Sequence, residues 1–346
     1  MSELSKKVLK YLITILLIIG SCYLAVKDVN FSELGRIIAN ANYLWIILSV
    51  PIIIMSHWIR AMRWRTMLEP ALKTKSPSTW NLFSAVMIGY GVNAVLPRGG
   101  EFLRPYIYSR REKVSFSTSF ATIIAERFID VVTLVVLFGV VFLFFSHKIT
   151  QGLPAIEPNK VLVPTILVLA VLFMSFYAPF VNAVLKIFIK PFSAKFYYKL
   201  SQIFEKFLKG FVIIKTPSRY FRLTAESLLI WFFYTVPMYL MFFSFDYQSI
   251  YHLNFTDAII LIIVSGVGAT IAPTPGAIGI YHFLIQNAMM RLYGMKAEEA
   301  LAYATLTHAI NYLIQLLIGG FFFMRENVKK LPQKSDISSE LEIAED

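Results

Sequence analysis

Apolar residues run through this chain in long stretches that short clusters of Lys and Arg separate. Six stretches approach the roughly 20 residues that a helix needs to cross a hydrocarbon core. They are Val8–Val26, Tyr43–Trp58, Phe116–Ser146, Val161–Val181, Thr224–Phe245 and Leu301–Met324. Because few other structures satisfy their backbone groups in lipid, the pattern predicts an all-α, polytopic integral membrane protein with about six full transmembrane helices.

Two more apolar segments are interrupted by Pro and Gly. Trp80–Leu96 runs into the sequence PRGGE, and Asp257–Gly294 contains PTPGAIG near its centre. Pro ends a helix and Gly permits backbone turns closed to other residues, so each segment is predicted to form a re-entrant helical hairpin. The predicted helix breaks are Pro97, Pro273, Pro275, Gly276 and Gly279.

The basic residues set the predicted topology. Most of the 33 Lys and Arg residues fall in five clusters, Lys6–Lys10, Arg60–Lys75, Arg98–Lys113, Lys186–Arg222 and Arg325–Lys334. The positive-inside rule places these clusters in the cytoplasm, and six spans with two opposed hairpins then bring both termini to that side. We therefore expect a multi-pass protein of the cell (inner) membrane, whose first span is retained rather than cleaved as a signal peptide.

The two halves of the chain resemble each other. Pro97 matches Pro273, Gly100 matches Gly276, and ERFID after the first break falls roughly opposite THAIN after the second. Paired, broken segments of opposite orientation are typical of transporter inverted repeats. We expect one membrane domain over residues 1–330, with a cytoplasmic amphipathic segment at 186–222 that is either a helix on the inner leaflet or a basic loop, and a disordered acidic cytoplasmic tail at 331–346.

Composition narrows the function. The chain is 57% hydrophobic and only 16% charged, which excludes a soluble protein of this length. The net charge is +12, and the basic residues responsible for it lie between apolar spans. They therefore indicate the orientation in the membrane and contact with anionic lipid rather than nucleic-acid binding. No nucleotide-binding loop, HExxH or CxxC motif occurs, and we predict no cofactor, metal or catalytic residue. Arg60, Arg63 and Arg65 are interpreted as topology anchors at the end of the second span.

The charged residues that we consider for substrate binding lie in the first hairpin and in the span that follows it. A helix that begins after the break would direct its amides and nearby guanidinium groups toward an anion. The predicted substrate-binding residues are Asn93, Arg98, Gly99, Gly100, Glu101, Arg104 and Arg127. Glu126 and Asp130 share one helix face beside Arg127, and intramembrane charges default to functional hypotheses. A cytoplasmic loop with snorkelling arginines and a purely structural ion network remain the alternatives.

The second hairpin is far less charged. Its polar side chains are His282, His308 and Asn311, which we assign with Glu126 and Asp130 to a proton or ion-pair network. Two histidines near a break favour a proton relay only weakly, because a single histidine in a helix is more often an interior residue whose ring nitrogens are hydrogen-bonded.

The chain resembles the flippase-like transmembrane domain of lysylphosphatidylglycerol synthases. The resemblance covers roughly residues 8–324 and rests on RWR at residues 63–65, PRGGEFLR at 97–104, ERFID at 126–130 and PTPGAIG at 273–279. It implies a helical domain that moves lipids between leaflets, as a stand-alone member without an aminoacyl-transferase domain. Ala277, His282 and His308 depart from the family pattern, so the substrate of a relative is not carried over.

We therefore expect a lipid transporter that moves an anionic or phosphate-bearing lipid, with proton coupling left open. The alternatives are a membrane-embedded enzyme or accessory subunit acting on a lipid-linked substrate, and a non-catalytic protein recruited by its basic segment. The expected partners are a membrane phospholipid or a lipid-linked substrate and no nucleic acid; a homo-oligomer or a partner enzyme stays open.

The topology can be tested with single cysteines, because Cys22 is the only cysteine in the chain. In a Cys22→Ser background, Ser249→Cys should react with a membrane-impermeant maleimide in intact cells. Ser115→Cys should react only after the membrane is permeabilised, because it follows a Lys/Arg cluster. Labelling in the reverse order would contradict the predicted orientation.

Overall fold

A computed structural model describes residues 3–72, 76–152, 158–174, 178–191, 193–194, 196–198, 200–201, 217–271 and 274–326. Every regular element in these ranges is helical. Pro273, residues 192, 195, 199 and 202–216 of the segment 186–222, and the tail 331–346 lie outside the described residues, so the expectations for them stay predictions.

The chain folds into a succession of helices. We number the α-helices α1 (Glu3–Val26), α2 (Phe31–Ala39), α3 (Tyr43–Leu68), α4 (Thr79–Val95), α5 (Gly100–Glu112), α6 (Phe116–Gly152), α7 (Pro158–Met174), α8 (Ala178–Phe188), α9 (Pro217–Ser244), α10 (Tyr247–Ile250), α11 (Phe255–Ile271), α12 (Ile280–Tyr293) and α13 (Ala297–Arg325). Short 3₁₀ turns lie at Glu69–Ala71 and Pro275–Ala277.

Four helices of the described chain are long and apolar enough to cross a membrane: Tyr43–Leu68, Phe116–Ser146, Pro217–Ser244 and Ala297–Arg325. Thr14–Val26 and Phe31–Ala39 add a fifth if this pair, bent by 84°, is one span. The predicted span Val161–Val181 falls on α7 and α8, between which three residues are not described. The chain is thus an all-helical polytopic membrane protein, with four to five of the six predicted spans meeting the length criterion in the described part.

The first hairpin consists of α4 and α5, which pack against each other along their length. Ser78 accepts a hydrogen bond from the Asn81 N–H at the start of α4, as N-cap serines do. At the break, the Asn93 Oδ1 accepts a hydrogen bond of 2.8 Å from the Gly100 N–H, which belongs to the first residue of α5. This side chain therefore joins the end of one helix to the start of the next.

Gly100 permits the closest approach in this hairpin. A Cβ atom built on Gly100 would lie 1.9 Å from the carbonyl oxygen of Gly89 on α4. A second close crossing joins α4 to α13, where a Cβ on Gly319 would lie 2.5 Å from the Met87 carbonyl oxygen and 2.9 Å from the Gly91 Cα. Small residues at such crossings let membrane helices pack backbone against backbone.

The second hairpin consists of α11 and α12, and its tip meets the tip of the first. Gly276 lies in the break with a φ of 54°, in the left-handed region that favours glycine. The Tyr312 hydroxyl of α13 donates a hydrogen bond of 3.3 Å to the Ala94 carbonyl at the end of α4, and the 3₁₀ turn at Pro275–Ala277 packs against α4. The two hairpins therefore point toward each other, as the sequence predicts for an opposed pair.

Helix packing repeats in the two halves. The contact between α4 and α13 has a counterpart in that between α11 and α6, and α3 with α4 corresponds to α9 with α11. Likewise α5 with α6 corresponds to α12 with α13, while α3 and α9 form the most extensive contact of all. Each of these contacts keeps a counterpart when every helix of one half is replaced by the corresponding helix of the other half. An inverted repeat produces this arrangement.

Replacing Gly100 by Ala should destabilise the hairpin, because its new methyl group would overlap the Gly89 carbonyl. Overpacking of this kind costs about 1–3 kcal/mol, and we expect a lower thermal unfolding temperature of the purified protein. Gly320→Ala is the matched control, since no atom lies within 4 Å of the position that its Cβ would take. Equal stability of the two variants would contradict the close packing of α4 on α5.

Candidate functional site

Six charged side chains from three helices meet inside the protein, and we call them the arginine–carboxylate cluster. α3 supplies two arginines, α5 supplies one, and α6 supplies one arginine and both carboxylates. The members are Arg60, Arg63, Arg104, Glu126, Arg127 and Asp130. Because α6 places Glu126 and Asp130 four residues apart, both carboxylates point to the same side of the helix.

Glu126 lies at the centre of the cluster and is completely buried. Arg104 holds it in a bidentate contact, with Nη1 and Nη2 each donating a hydrogen bond of 3.0 Å to one carboxylate oxygen. Arg60 Nη1 donates to Oε1 as well, and Arg127 Nη2 donates to the same oxygen at 3.1 Å. A single carboxylate thus links α3, α5 and α6.

Asp130 receives the second set of contacts. Arg63 Nη2 donates to Oδ1 at 2.6 Å, and Arg60 Nη1 donates to Oδ2 at 3.0 Å. Arg127 Nη1 lies 3.6 Å from Oδ2. Arg60 bridges both carboxylates, so the loss of either one would leave a buried guanidinium with fewer partners.

Aromatic and hydroxyl side chains surround the arginines. The Arg104 guanidinium carbon lies 3.9 Å from the centroid of the Trp64 ring, within cation–π range. Arg60 Nε donates 3.0 Å to the Tyr234 hydroxyl, which lies 3.3 Å from the Tyr90 hydroxyl. Arg63 Nη1 donates 3.1 Å to Ser227 Oγ. Through Tyr234 and Ser227, α9 also contacts the cluster.

The cluster holds more positive than negative charge. Four guanidinium groups face two carboxylates, and the next carboxylate, Glu101, has an oxygen 4.0 Å from Arg127 Nε. Counting Glu101, one positive charge remains. The Arg127 side chain is 40% exposed, whereas Arg63 is fully buried. An excess charge at such a place is costly in a membrane, and an anion that reaches Arg127 would offset it.

The first hairpin does not gather its predicted residues around one point. Arg104 turns inward to Glu126. Arg98 is exposed at the tip, with a φ of 58°, and in the described chain only its backbone carbonyl is hydrogen-bonded, to the Glu101 N–H. The first amides of α5 are already bonded: Gly99, Glu101 and Phe102 donate to backbone carbonyls within the turn, and Gly100 donates to Asn93. Arg98, Arg104 and this helix start therefore do not meet at one point in this structure, and their assignment to an anion stays a prediction.

The histidines of the second half form a separate group. The rings of His282 and His308 lie 4.8 Å apart between their centroids, and His308 Nε2 is hydrogen-bonded to the Gly276 carbonyl at 2.7 Å. Asn311 donates to the Thr307 carbonyl of its own helix. These contacts do not lead to Glu126 or Asp130, so a proton relay between the two groups stays a prediction. Pro275 and Gly279 lie in the break as predicted.

Two of the four arginines in the cluster, Arg60 and Arg63, are not among the site residues that the sequence predicts. Arg60 and Arg63, which the sequence pattern indicates as topology anchors, are 4% and 0% exposed and bind the carboxylates of α6. Their spacing of three residues, on an apolar helix, places them on one face, and this signal could have paired them with Glu126 and Asp130. Arg65 differs, since it contacts Glu69 near the helix end. In the part of the chain that the structure describes, no cluster of His, Cys, Asp and Glu could hold a metal ion.

Known proteins resemble this chain over most of its length. A family model described as the lysylphosphatidylglycerol synthase TM region matches residues 8–319. The UPF0104 membrane protein PH1989 of Pyrococcus horikoshii is 26% identical over 306 residues, which cover 84% of this chain and 89% of that protein. Glycosyltransferase AglD of Haloferax volcanii is 24% identical over 321 residues, which cover 84% of this chain and 50% of that protein. No solved structure matches.

Replacing Glu126 by Gln should strongly destabilise the protein, because it leaves buried arginines without their shared carboxylate. Breaking a buried ion pair from one side costs about 3–5 kcal/mol, which a thermal unfolding experiment on the purified protein would detect. The matched control is Glu33→Gln, which removes the partner of Arg36 in an exposed pair and should leave stability unchanged. If the two variants unfold at the same temperature, Glu126 does not organise the cluster.

Proposed function

Because this chain belongs to the family of lysylphosphatidylglycerol synthase transmembrane regions, we propose that it moves an anionic or phosphate-bearing lipid between the two leaflets of the membrane. The observation that carries the proposal is the positive excess of the arginine–carboxylate cluster, with one arginine partly exposed. In this proposal the protein is a transporter and not an enzyme, located in the cell membrane with both termini in the cytoplasm.

Arg127 is the residue that we assign to the lipid headgroup. Its neighbours Arg60, Arg63 and Arg104 are buried and held by Glu126 and Asp130. Arg127 keeps 40% of its side chain exposed while it contacts both carboxylates. A guanidinium offers a planar fork of donors that suits a phosphate oxygen pair. The buried arginines then supply a positive field, and Arg127 supplies the direct contact.

Glu126, Asp130 and Glu101 act in this proposal as positioning residues. Each carboxylate of α6 is shared among several arginines, so its role is to hold their guanidinium groups in place. Proton coupling, if it occurs, is assigned to the second hairpin, where His282 and His308 lie against the break. Arg98, at the exposed tip of the first hairpin, would meet the headgroup before or after Arg127.

The meeting of the two hairpin tips suggests how a lipid headgroup passes. The turn at Pro275–Ala277, in the second tip, packs against α4 of the first hairpin, and the helix contacts repeat between the halves. In transporters with inverted repeats, one repeat moves against the other around a central site. We assign the same movement to the two hairpins, with the lipid tails remaining in the bilayer while the headgroup crosses beside α5 and α6.

A second candidate function is that of a membrane subunit acting on a lipid-linked substrate. Its support is the match to Glycosyltransferase AglD, of which the matched region is only half. In that case the domain would present a lipid-linked substrate to a partner enzyme. The buried carboxylates would serve as acid and base only if one of them were free of arginine, and each contacts at least three arginines in the described chain.

Transport can be tested in liposomes that contain the purified protein and a fluorescent anionic phospholipid, with a membrane-impermeant quencher to report leaflet exchange. The wild-type chain should accelerate exchange, and Arg127→Gln should slow it at least about tenfold, because it removes one charge-assisted contact of about 1.5–3 kcal/mol. Arg325→Gln, which alters an exposed arginine at the end of α13, is the control and should retain activity.

Two outcomes separate the candidates. Liposomes with verified incorporation but no lipid exchange under any ion gradient would overturn the transporter proposal. Retention of the labelled lipid by the purified protein without exchange, together with product formation when a partner enzyme is added, would favour the accessory subunit.

A further inference from the structure

Two tyrosine rings flank Arg60, and they come from two different helices. Tyr90 belongs to α4 of the first hairpin and Tyr234 to α9. The centroid of each ring lies 5.8 Å from the Arg60 guanidinium carbon, which is within cation–π range. The His57 ring packs against the Tyr90 ring, with 4.5 Å between the centroids. These contacts hold both rings in place without involving their hydroxyl groups.

The two hydroxyl groups form a short chain of hydrogen bonds that starts at Arg60. Arg60 Nε donates to the Tyr234 oxygen at 3.0 Å, and the Tyr234 and Tyr90 oxygens lie 3.3 Å apart. A hydroxyl that accepts from a charged donor becomes a better donor itself, so the hydrogen between the two oxygens belongs to Tyr234. The chain of donors therefore runs from Arg60 to Tyr234 and from Tyr234 to Tyr90.

This chain leaves one hydroxyl hydrogen without an acceptor. The two hydroxyls carry two hydrogens, and only one of these lies between the oxygens. Neither hydroxyl donates to another atom in the part of the chain that the structure describes. In the direction given above, the remaining hydrogen is that of Tyr90. Leaving such a donor unmet costs free energy, so the Tyr90 hydroxyl needs an acceptor from outside the chain.

A ligand can reach the two tyrosines more readily than the arginine between them. Both tyrosines are partly exposed, whereas Arg60 is 4% exposed. Tyr90 is close enough to Arg127 for an electrostatic interaction with its guanidinium. The Arg127 side chain is itself 40% exposed, and it is the arginine assigned above to the lipid headgroup. The Tyr90 donor and the accessible arginine of the cluster thus belong to one site.

A phosphate group has the acceptors that these two donors require. It presents several oxygens, so one oxygen can bind the Arg127 guanidinium while another accepts the Tyr90 hydrogen. The hydroxyl adds this contact without adding charge, at a site where one positive charge is in excess once Glu101 is counted. A headgroup without an anionic oxygen would leave that charge unpaired.

We propose that Tyr90 binds the phosphate of the lipid headgroup through its hydroxyl, and that Tyr234 positions this hydroxyl. The inference rests on the proposed function, since it places the lipid phosphate at Arg127. It extends the headgroup site from α5 and α6 to α4 and α9. Headgroup binding would then join the first helix of the hairpin directly to the span that carries Arg127.

The test measures lipid binding, so that it does not depend on transport. The full chain is purified in an uncharged detergent, and the dissociation constant of dioctanoyl phosphatidylglycerol is measured by microscale thermophoresis. Tyr90→Phe should weaken binding at least about tenfold, because it removes a hydrogen bond to a charged group. Its unfolding temperature without lipid should equal that of the wild type, because the ring contacts remain. Tyr234→Phe should weaken binding less, because Tyr90 can still donate to the phosphate.

Tyr239→Phe is the matched control. Tyr239 lies on the same helix as Tyr234 and is also partly exposed. Its ring packs against Phe243 and Phe255, and its hydroxyl forms no hydrogen bond within the described chain. This variant should bind the lipid like the wild type.

Infrared difference spectroscopy at saturating lipid separates a direct contact from a structural role. Binding should shift a tyrosine C–O stretching band in the wild type, in Tyr239→Phe and in Tyr234→Phe. The shift should be absent in Tyr90→Phe, because the hydroxyl that contacts the phosphate is missing. A shift that persists in Tyr90→Phe would contradict the direct contact.

Four binding results would overturn the proposal. The wild type does not bind the lipid, Tyr90→Phe binds it like the wild type, Tyr234→Phe loses more affinity than Tyr90→Phe, or inorganic phosphate binds as tightly as the lipid. The last result would identify a free anion as the ligand. Lipid binding that depends on Tyr90, without exchange in liposomes, would contradict only the proposed transport. Exchange that depends on Arg127 but not on Tyr90 would contradict only the role of Tyr90.

Discussion

The fold around the site depends on one buried carboxylate. Glu126 has no exposed surface, and it contacts arginines from α3 and α5 as well as its own neighbour Arg127. In a membrane, none of these groups could be buried alone, because an isolated charge in hydrocarbon costs several kcal/mol. The ion network therefore fixes where the first hairpin lies relative to the spans, and α9 joins it through Tyr234.

The second constraint is the close packing of the first hairpin, both between its own two helices and against α13. Backbone-to-backbone packing at Gly89, Gly100 and Gly319 brings α4 against α5 and α13, and Tyr312 links α13 to the tip of α4. Because the helix contacts repeat between the halves, the charged site and the histidine pair occupy related positions. The first half has arginines near its break and in the span that follows the break. The second half has His282 and His308 at the related positions instead.

Local rules are enough to predict the helices and the hairpins. Apolar runs define spans because lipid leaves few alternatives, and PRGGE and PTPGAIG stop helices through backbone chemistry that does not depend on the rest of the fold. It is harder to predict which side chains of distant helices contact each other. Whether Arg60 lies in the headgroup region or inside the protein depends on Glu126, 66 positions later in the chain. The hydrogen bond from the first amide of α5 to Asn93 is a further contact between two helices that local rules do not indicate.

The proposed transport depends above all on Arg127 binding an anionic headgroup at the arginine–carboxylate cluster. An electron cryo-microscopy structure of the protein in nanodiscs that contain an anionic phospholipid would show this contact. We expect a phosphate within hydrogen-bond distance of the Arg127 guanidinium, next to Glu101 and between α5 and α6. Lipid phosphates found only at the outer surface of the spans, with Arg127 turned onto a protein carboxylate alone, would contradict that role.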